Sequence, residues 1–207
     1  MVATDTHRLA VYQSNSGSAS EIELSALIGN RAMNELAKLL PSSDEGQVIL
    51  TIGENQIFAQ YENLTLYARL LNAKFPHYRQ IIPKTSTTTV KINTKELLDT
   101  IDRATLLARD ELKPRSHLVK FTIGENLIVT SEAAEIGNLE EQLNAQIEGQ
   151  PLEIALNGRY LIETLKVIDD SEVVLEMQAP LKPIVVKSAG EENYFCLILP
   201  IRVHDNI

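Results

Sequence analysis

The pentapeptide Thr51-Ile-Gly-Glu-Asn55 occurs a second time, unchanged, as Thr122-Ile-Gly-Glu-Asn126. Each copy follows a segment with helical spacing and lies between two segments in which apolar and polar residues alternate. Gly-Glu-Asn between two such segments predicts a hairpin turn. The repetition therefore predicts two equivalent hairpins in two copies of one structural unit. It directs the search for function toward an assembled surface rather than a single catalytic cleft.

Three segments of the chain share one order, in which a strand and a helix are followed by three strands. Helical spacing of apolar residues identifies the helices, and alternation identifies the strands. The predicted elements are strand 21–24, helix 28–40 and strands 47–52, 56–60 and 64–71; then strand 89–92, a helix capped by Asn93 and strands 117–123, 127–131 and 138–145; then strand 152–156, a helix capped by Asn157 and strands 172–177, 184–187 and 194–200.

Two further segments decide how the units are grouped. Residues 2–12 are predicted to form a strand with no helix before it, as if they ended a preceding copy of the unit. The polar segment 84–89 is the predicted linker. Residues 85–207 then hold two copies and form a complete domain, whereas residues 1–84 hold one copy and form half of another. A half-domain is expected to expose one face of its sheet, and to be less stable or to pair with another chain.

The composition excludes several classes of protein. With 207 residues, 44% of them hydrophobic, the chain can bury a sizeable core, which is aliphatic because only 5% of the residues are aromatic. The net charge of -9 argues against a surface coated with cations, although it permits a local basic face. The single cysteine, Cys196, lies in an apolar run and is predicted to be a buried, inert thiol, as suits a cytoplasmic protein. The sequence contains neither a signal-peptide pattern nor an apolar run near the roughly 20 residues that span a membrane.

The segment Thr4-Asp-Thr-His7 permits two interpretations from the residues alone. Asp5 and His7 could act as an acid–base pair, with Thr4 or Thr6 as the nucleophile of a hydrolase or transferase. However, no third catalytic group is identifiable, and no Gly-rich oxyanion or phosphate loop follows. The alternative is a polar strand end that makes local hydrogen bonds. On the predicted strand, Asp5 and His7 would share one face.

Three groups of residues occur in order around the repeats. They are Thr4-Asp-Thr-His-Arg-Leu-Ala10, Phe75-Pro-His-Tyr-Arg79 with Ile82-Pro83, and Leu199-Pro-Ile-Arg202. Together they closely resemble the bacterial DNA polymerase III beta subunit family, the sliding clamps. The resemblance covers essentially the whole chain and implies an α+β DNA-clamp fold, with repeated β-α-β-β-β units and helices on one face of antiparallel sheets. Residues 1–84 correspond to the second half of the middle domain of such a clamp, and residues 85–207 to its C-terminal domain.

The resemblance also implies a function. Sliding clamps form head-to-tail dimeric rings around duplex DNA and tether DNA polymerase III alpha and other proteins that carry a clamp-binding motif. A clamp loader places the ring on DNA, and the clamp itself has no catalytic activity and no cofactor. On this interpretation, the N-terminal domain and the first half of the middle domain lie outside this chain.

The resemblance implies a peptide-binding pocket, in which small apolar side chains surround a few polar groups. Taken alone, Leu197 and Leu199 could equally be core residues. Thr6 stands where the family usually has Gly, Gln80 stands where some relatives have Arg, and residues 203–207 extend beyond the usual end. The implied pocket residues are Thr4, His7, Arg8, Leu9, Pro76, Gln80, Ile81, Asn157, Tyr160, Leu181, Pro183, Leu197, Leu199, Pro200, Ile201 and Arg202.

Basic residues recur at the same spacing on two predicted helices. Arg31 and Lys38 on the first helix, like Arg159 and Lys166 on the third, are seven residues apart and share a face. The second helix is mixed and carries Arg103 beside acidic residues. From the residues alone, these helix faces are either ordinary solvated surfaces or a surface that faces DNA. The resemblance favours the second interpretation, in which the basic side chains contact DNA phosphates without reading the base sequence.

Leu106 lies opposite the apolar stripe of the second helix and is expected to be exposed. By the resemblance, Leu106 and Leu107 match the edge of the C-terminal domain that meets the next subunit of the ring. A head-to-tail interface needs two different patches, so a closed ring is not expected from this chain alone.

Overall fold

The computed structural model describes residues 1–14, 25–40, 46–108, 117–133, 137–190 and 193–203. The chain divides into two compact units, of which the larger joins Met1–Asn15 to Gln80–Ile207 and the smaller is Ser16–Arg79. The unit boundary lies close to the predicted linker, but the first 15 residues group with the C-terminal part of the chain. No helix within the described residues is long and apolar enough to cross a membrane.

Most of the predicted elements are present with small shifts of their ends, and the fold is α+β with antiparallel sheets. The helices are α1 (Asn30–Leu39), α2 (Thr94–Leu107) and α3 (Gly158–Leu165), with a 3-10 helix at Tyr78–Gln80. The strands are β1 (Val2–Thr4), β2 (Arg8–Tyr12), β3 (Ile49–Ile52), β4 (Gln56–Tyr61), β5 (Leu64–Arg69), β6 (Thr88–Asn93), β7 (Leu118–Ile123), β8 (Leu127–Ala133), β9 (Gly137–Leu143), β10 (Gln146–Gly149), β11 (Leu152–Asn157), β12 (Glu172–Met177), β13 (Ile184–Ser188) and β14 (Tyr194–Ile198).

The two repeats of the larger unit exchange their first strands. Strand β6 opens the second repeat but pairs with β12 of the third, and β11 opens the third repeat but pairs with β7 of the second. The resulting sheets have the strand orders β1-β2-β14-β13-β12-β6-β10 and β11-β7-β8-β9. Without the strand from the other repeat, β7 and β12 would be edge strands with a row of unpaired backbone groups. Neither repeat therefore completes its sheet alone.

Helices α2 and α3 pack against each other and on the sheets. The Asn93 side chain caps α2 by accepting a hydrogen bond from the Glu96 amide at 2.9 Å, as predicted. Leu97, Ile101 and Ala104 on α2 are fully buried. Leu106, on the opposite side of the helix, is 64% exposed, which confirms its predicted exposure.

The segment 138–145 is not one strand, as predicted, but the greater part of β9 followed by a break. The chain leaves β9 after Leu143 and enters β10, which pairs with β6 in the other sheet. The break falls at Asn144 and Ala145, although the alternation of apolar and polar residues continues without interruption from Leu143 to Ile147, so the pattern alone does not reveal it. Through this change of sheet, β10 of the second repeat pairs with β6, the first strand of the same repeat.

The two identical pentapeptides make turns of different length. In the first copy, Ile52 pairs with Ile57, and the Gly53 amide donates to the carbonyl of Gln56 at 2.8 Å. In the second, Ile123 pairs with Leu127, and the turn is one residue shorter. The difference follows from the next residues, because the first core-facing side chain is Ile57 in one hairpin and Leu127 in the other. The predicted turns are present, but they are not strictly equivalent.

The smaller unit is a single repeat in which α1 packs on β5 of the sheet β3-β4-β5. Ile57 and Ala59 of β4 are buried on one face of this sheet. No residue of α1 is buried. The predicted strand 21–24 lies outside the described residues. Among the described residues, the smaller unit thus buries fewer side chains than the pair of repeats in the larger unit.

Candidate functional site

The N-terminal segment is a hairpin, not the single strand that was predicted for residues 2–12. Strands β1 and β2 pair from Val2↔Val11 to Thr4↔Leu9, so that Asp5, Thr6 and His7 form the turn. Asp5 and His7 therefore do not share the face of a strand. The cause is local hydrogen bonding: an Asp5 carboxylate oxygen accepts from the amides of His7 at 3.1 Å and Arg8 at 3.0 Å.

Thr6 adopts the left-handed backbone region, with a φ of 75°. This conformation suits glycine and is strained for a β-branched residue. It gives a physical reason for the Gly that the clamp family usually has at this place. The turn is held from its other side by Thr4, whose hydroxyl accepts from the Thr6 amide at 3.3 Å and donates to the Arg8 carbonyl at 2.7 Å.

Arg8 ties this hairpin to α3. Its guanidinium donates to Asp5 at 2.9 Å and to Glu163 at 2.5 Å, and it lies 4.7 Å above the ring of Tyr160. The His7 ring stacks on the same tyrosine, with centroids 6.0 Å apart. These contacts hold the guanidinium and the aromatic ring in one geometry. Both side chains would therefore lose little further conformational freedom on binding a ligand.

The charges around Arg8 lower the pKa values of two carboxyl groups. Burial alone raises the pKa of Glu163, but hydrogen bonds from Arg8 and Arg159 bring it below its ordinary value of 4.5. Burial also acts to raise the pKa of Asp5, and its bonds to Arg8 and to the turn amides outweigh that effect. Both carboxyl groups are therefore ionised at neutral pH, and their negative charges balance the positive charge of Arg8. A free acid–base pair of Asp5 and His7 is not formed.

Strand β14 and the residues after it connect the hairpin to the rest of the site. Leu9 pairs with Leu197, and the Leu199 amide donates to the His7 carbonyl at 2.9 Å. Two residues on, the Ile201 amide donates to the carbonyl of Ala155 on β11 at 2.8 Å. The segment that contains Pro200 thus crosses from one sheet to the other.

The two leucines of this segment differ in exposure. Leu197 is 3% exposed and is a core residue, whereas Leu199 is 44% exposed and can contact a ligand. Pro183 immediately precedes Ile184, which pairs with Ile198, so the proline lies beside the end of β14. Leu181 is 59% exposed in the loop before β13. Pro183 and Leu199 therefore lie near the end of the sheet at which Ile198 pairs with Arg8, next to His7.

The remaining residues of the predicted pocket belong to several elements. Asn157 caps α3 by accepting a hydrogen bond from the Arg159 amide at 3.0 Å, and this fixes the start of the helix that carries Tyr160. Gln80 ends the 3-10 helix, and Ile81 after it is 55% exposed. Pro76 belongs to the smaller unit. A separate cavity of about 150 Å³ is lined by residues 83–86 and the end of β12, and Pro183 alone of the predicted pocket residues lines it.

Three of the five predicted DNA-facing cations are ion-paired. Arg103 on α2 donates to both carboxylate oxygens of Glu141, at 2.8 and 2.6 Å. Arg159 contacts Glu163 at 3.1 Å, and Lys38 contacts Glu35 at 3.0 Å. Arg31 and Lys166 are exposed and make no salt bridge within the described part of the chain. Their contact with DNA stays a prediction, as does the ring-interface role of Leu106 and of Leu107, which is half-buried.

Sequence reasoning missed Glu163 and Glu141 as partners in the site. The spacing of Arg159 and Glu163, four residues apart on a helix, could have indicated their ion pair. The ion pairs of Glu163 with Arg8 and of Glu141 with Arg103 join distant segments, so the local spacing of residues could not predict them. The prediction for Cys196 is confirmed: it is 2% exposed, and burial raises the pKa of its thiol. No cluster of potential metal ligands occurs among the residues with described positions.

Replacing Thr6 by Gly should stabilise the larger unit by about 0.5–1 kcal/mol. The left-handed conformation costs an L-residue roughly 1–2 kcal/mol, and the greater freedom of glycine in the unfolded chain offsets part of the gain. Urea unfolding of Thr6→Gly and Thr6→Ala measures the effect. Thr6→Ala keeps the strained backbone and should not be stabilised, so an equal gain in both variants would contradict the strain at this turn.

The Glu163 carboxylate should make stability depend on pH. Because its pKa is lowered in the folded chain, its contribution is present above the unfolded value of 4.5 and is lost as pH falls through the folded value. The free energy of unfolding of the wild type should therefore exceed that of Glu163→Gln at neutral pH, and the difference should shrink below about pH 4.5. A difference that stays constant from pH 7 to pH 3 (about four pH units) would refute the proposed pairing with Arg8.

Comparison with known families covers nearly the whole chain. Residues 1–77 match the central domain of the DNA polymerase III beta subunit, and residues 79–202 match its C-terminal domain. The beta sliding clamp of Bacillus subtilis is 33% identical over 205 residues, which are 98% of this chain and 53% of that protein. The beta sliding clamp of Staphylococcus epidermidis is also 33% identical, over 204 residues.

Solved structures give the same result for the fold. The crystal structure of the Bacillus subtilis DNA polymerase sliding clamp matches with a TM-score of 0.91 and 32% identity, over 98% of this chain and 53% of that one. The beta subunit of Thermotoga maritima DNA polymerase III matches with a TM-score of 0.86 and 26% identity, over 98% and 54%. The chain spans about half the length of the curated relatives that it matches. These matches show that the chain belongs to the DNA polymerase III beta subunit family, the sliding clamps.

Proposed function

We propose that this chain is the peptide-binding part of a DNA polymerase processivity factor. In the complete ring, duplex DNA passes through the centre without sequence-specific contacts, and the pocket tethers DNA polymerase III alpha and other proteins with a clamp-binding motif. A clamp loader, a head-to-tail homodimer and a location in the cytoplasm are part of this proposal. They are supported by family membership, which covers both domains of the chain.

The observation that carries the proposal is the junction of the hairpin, β14 and α3. His7 and Arg8 bring an imidazole and a guanidinium to the face of Tyr160, and Leu199 stands exposed beside them. An apolar side chain such as Leu or Phe in a short peptide can pack on Leu199, while its backbone and polar groups meet the fixed polar groups of the turn. The site therefore offers an apolar anchor point and preorganised hydrogen-bonding groups.

A hydrolase or transferase that uses Asp5 and His7 is the weaker candidate. Its general base would need His7 oriented by a carboxylate and hydrogen-bonded to a nucleophile. Asp5 instead holds the turn amides and Arg8, and His7 stacks on Tyr160. The proposal therefore includes no catalytic step and no cofactor.

The DNA-facing role of the helices is the less direct part of the proposal. Arg31, Lys38, Arg103, Arg159 and Lys166 would meet phosphates rather than bases. Since topological linkage holds a ring on DNA, these contacts need only be weak. For this chain alone, DNA binding should be weak and should decline steeply with salt, because each phosphate contact releases counterions.

Titration with a peptide of the type Gln-Leu-x-Leu-Phe tests the pocket. The chain should bind it, and Leu199→Ala should weaken binding about 10-fold, which corresponds to the loss of roughly 1.4 kcal/mol of apolar contact. Leu106→Ala is the matched control, since Leu106 is also exposed but lies at the end of α2. Isothermal titration calorimetry provides the affinities.

Two results would count against the pocket. One is the absence of binding at about 1 mM peptide, where even weak specific sites are occupied. The other is an equal loss of affinity in Leu199→Ala and Leu106→Ala. Both substitutions remove one exposed leucine side chain, so a general effect on solubility or folding would appear in both. Only a peptide contact at Leu199 would make the loss of affinity larger in Leu199→Ala than in Leu106→Ala.

A further inference from the structure

The positive charge of Arg8 is balanced by two carboxylates that belong to different elements. Asp5 lies in the turn of the same hairpin, and its carboxylate oxygen is 2.9 Å from Nε of Arg8. Glu163 lies on α3, and its carboxylate oxygen is 2.5 Å from Nη2 of Arg8. The first ion pair is local to the hairpin. The second joins the hairpin to α3, so it fixes where the guanidinium stands relative to the helix.

Glu163 and Tyr160 hold Arg8 together. They are three residues apart on α3, so their side chains lie on the same side of the helix. The guanidinium stands 4.7 Å above the tyrosine ring while it bonds Glu163. The Arg8 side chain is 26% exposed. A guanidinium has five N–H groups, of which the two ion pairs use two, so donors remain for a ligand.

The second oxygen of the Glu163 carboxylate bonds another arginine. Oε1 is 3.1 Å from Nε of Arg159, one turn earlier on α3, whereas Oε2 is the atom that meets Arg8. A chain of alternating charges thus runs from the turn to the exposed side of the helix, in the order Asp5, Arg8, Glu163 and Arg159. Its two positive and two negative charges cancel. Removal of Glu163 or of Arg159 would leave an excess charge of opposite sign in the two cases.

We propose that Glu163 determines which polar side chain the peptide pocket accepts, a neutral amide in preference to a carboxylate. This inference rests on the proposed peptide-binding function of the site. An unbalanced guanidinium would attract a carboxylate of the peptide. Glu163 removes that attraction, because its charge offsets that of Arg8, while the remaining N–H groups of Arg8 still donate to an uncharged amide oxygen. Glu163 acts through Arg8, so it is a positioning residue that also sets specificity.

Two peptides that differ by one charge test this role. Isothermal titration calorimetry of the 207-residue chain measures the dissociation constants of a Gln-Leu-x-Leu-Phe peptide and of its Glu-Leu-x-Leu-Phe counterpart. The ratio of the two constants is compared between variants, at low salt because salt screens exposed charges. A smaller folded fraction changes both constants alike, so the ratio reports the charge preference and not the stability. On the wild type, the amide peptide should bind more tightly.

Substitutions of the two partners should move this ratio in opposite directions. Glu163→Gln leaves one positive charge in excess, so the preference for the amide should fall about threefold. Arg159→Gln leaves one negative charge in excess and should raise the preference about twofold, since Arg159 is more exposed. Glu172→Gln is the matched control. Glu172 pairs with Lys91 at 2.7 Å and is similarly exposed, but it lies at the opposite end of the sheet from Arg8, so the ratio should not change.

Three results would overturn the proposal while leaving the pocket in place. The first is an equal ratio on the wild type and Glu163→Gln. The second is a shift in the same direction in Glu163→Gln and Arg159→Gln, and the third is an equal shift in the Glu172→Gln control. Far-UV circular dichroism establishes that each variant is folded, and if Glu163→Gln is not, the rise expected in Arg159→Gln decides. If the wild type binds neither peptide at about 1 mM, the pocket itself fails and the inference falls with it.

Discussion

The reciprocal exchange of first strands determines the rest of this structure. Strand β6 completes the sheet of the third repeat, and β11 completes that of the second. An edge strand presents unpaired backbone N–H and C=O groups, so a repeat that lends its first strand depends on receiving one. The helices follow the same exchange, since α2 and α3 become neighbours when the sheets are shared. Two repeats therefore form one cooperative core, while in the described part of the smaller unit the helix buries no residue and β3 is the edge of its sheet.

The candidate site is a consequence of how one sheet of that core ends. Strand β14 would be an edge, and the N-terminal hairpin pairs with it through β2. This pairing brings Arg8 within reach of Glu163 on α3, and Tyr160 supplies a flat surface for both Arg8 and His7. The site is thus assembled from residues near both ends of the chain. Its rigidity comes from sheet pairing and from ionised carboxyl groups, not from a buried catalytic pocket.

The sequence predicted the parts of the fold that depend on local pattern. The helix capped by Asn93 and the strands around each Gly-Glu-Asn turn followed from capping and alternation. The strand exchange did not, because pairing partners distant in sequence leave no local signal. The hairpin of residues 2–12 was missed, since Thr6 is not a residue that normally predicts a left-handed turn. At the site, Arg8 and Tyr160 followed from family resemblance, but Glu163 was missed because its bond to Arg8 is tertiary.

Hydrogen exchange of the backbone amides tests most directly whether strand exchange between repeats is the basis of stability. In the chain at a concentration where it is monomeric, the amides of β6, β7, β11 and β12 should exchange slowest and at closely similar rates. They should open only in the global unfolding of the larger unit. The amides of β3, β4 and β5 should exchange much faster, because α1 buries no residue and β3 is an edge strand among the described residues. Equal protection of β3–β5 and the exchanged strands in the monomer would contradict this account.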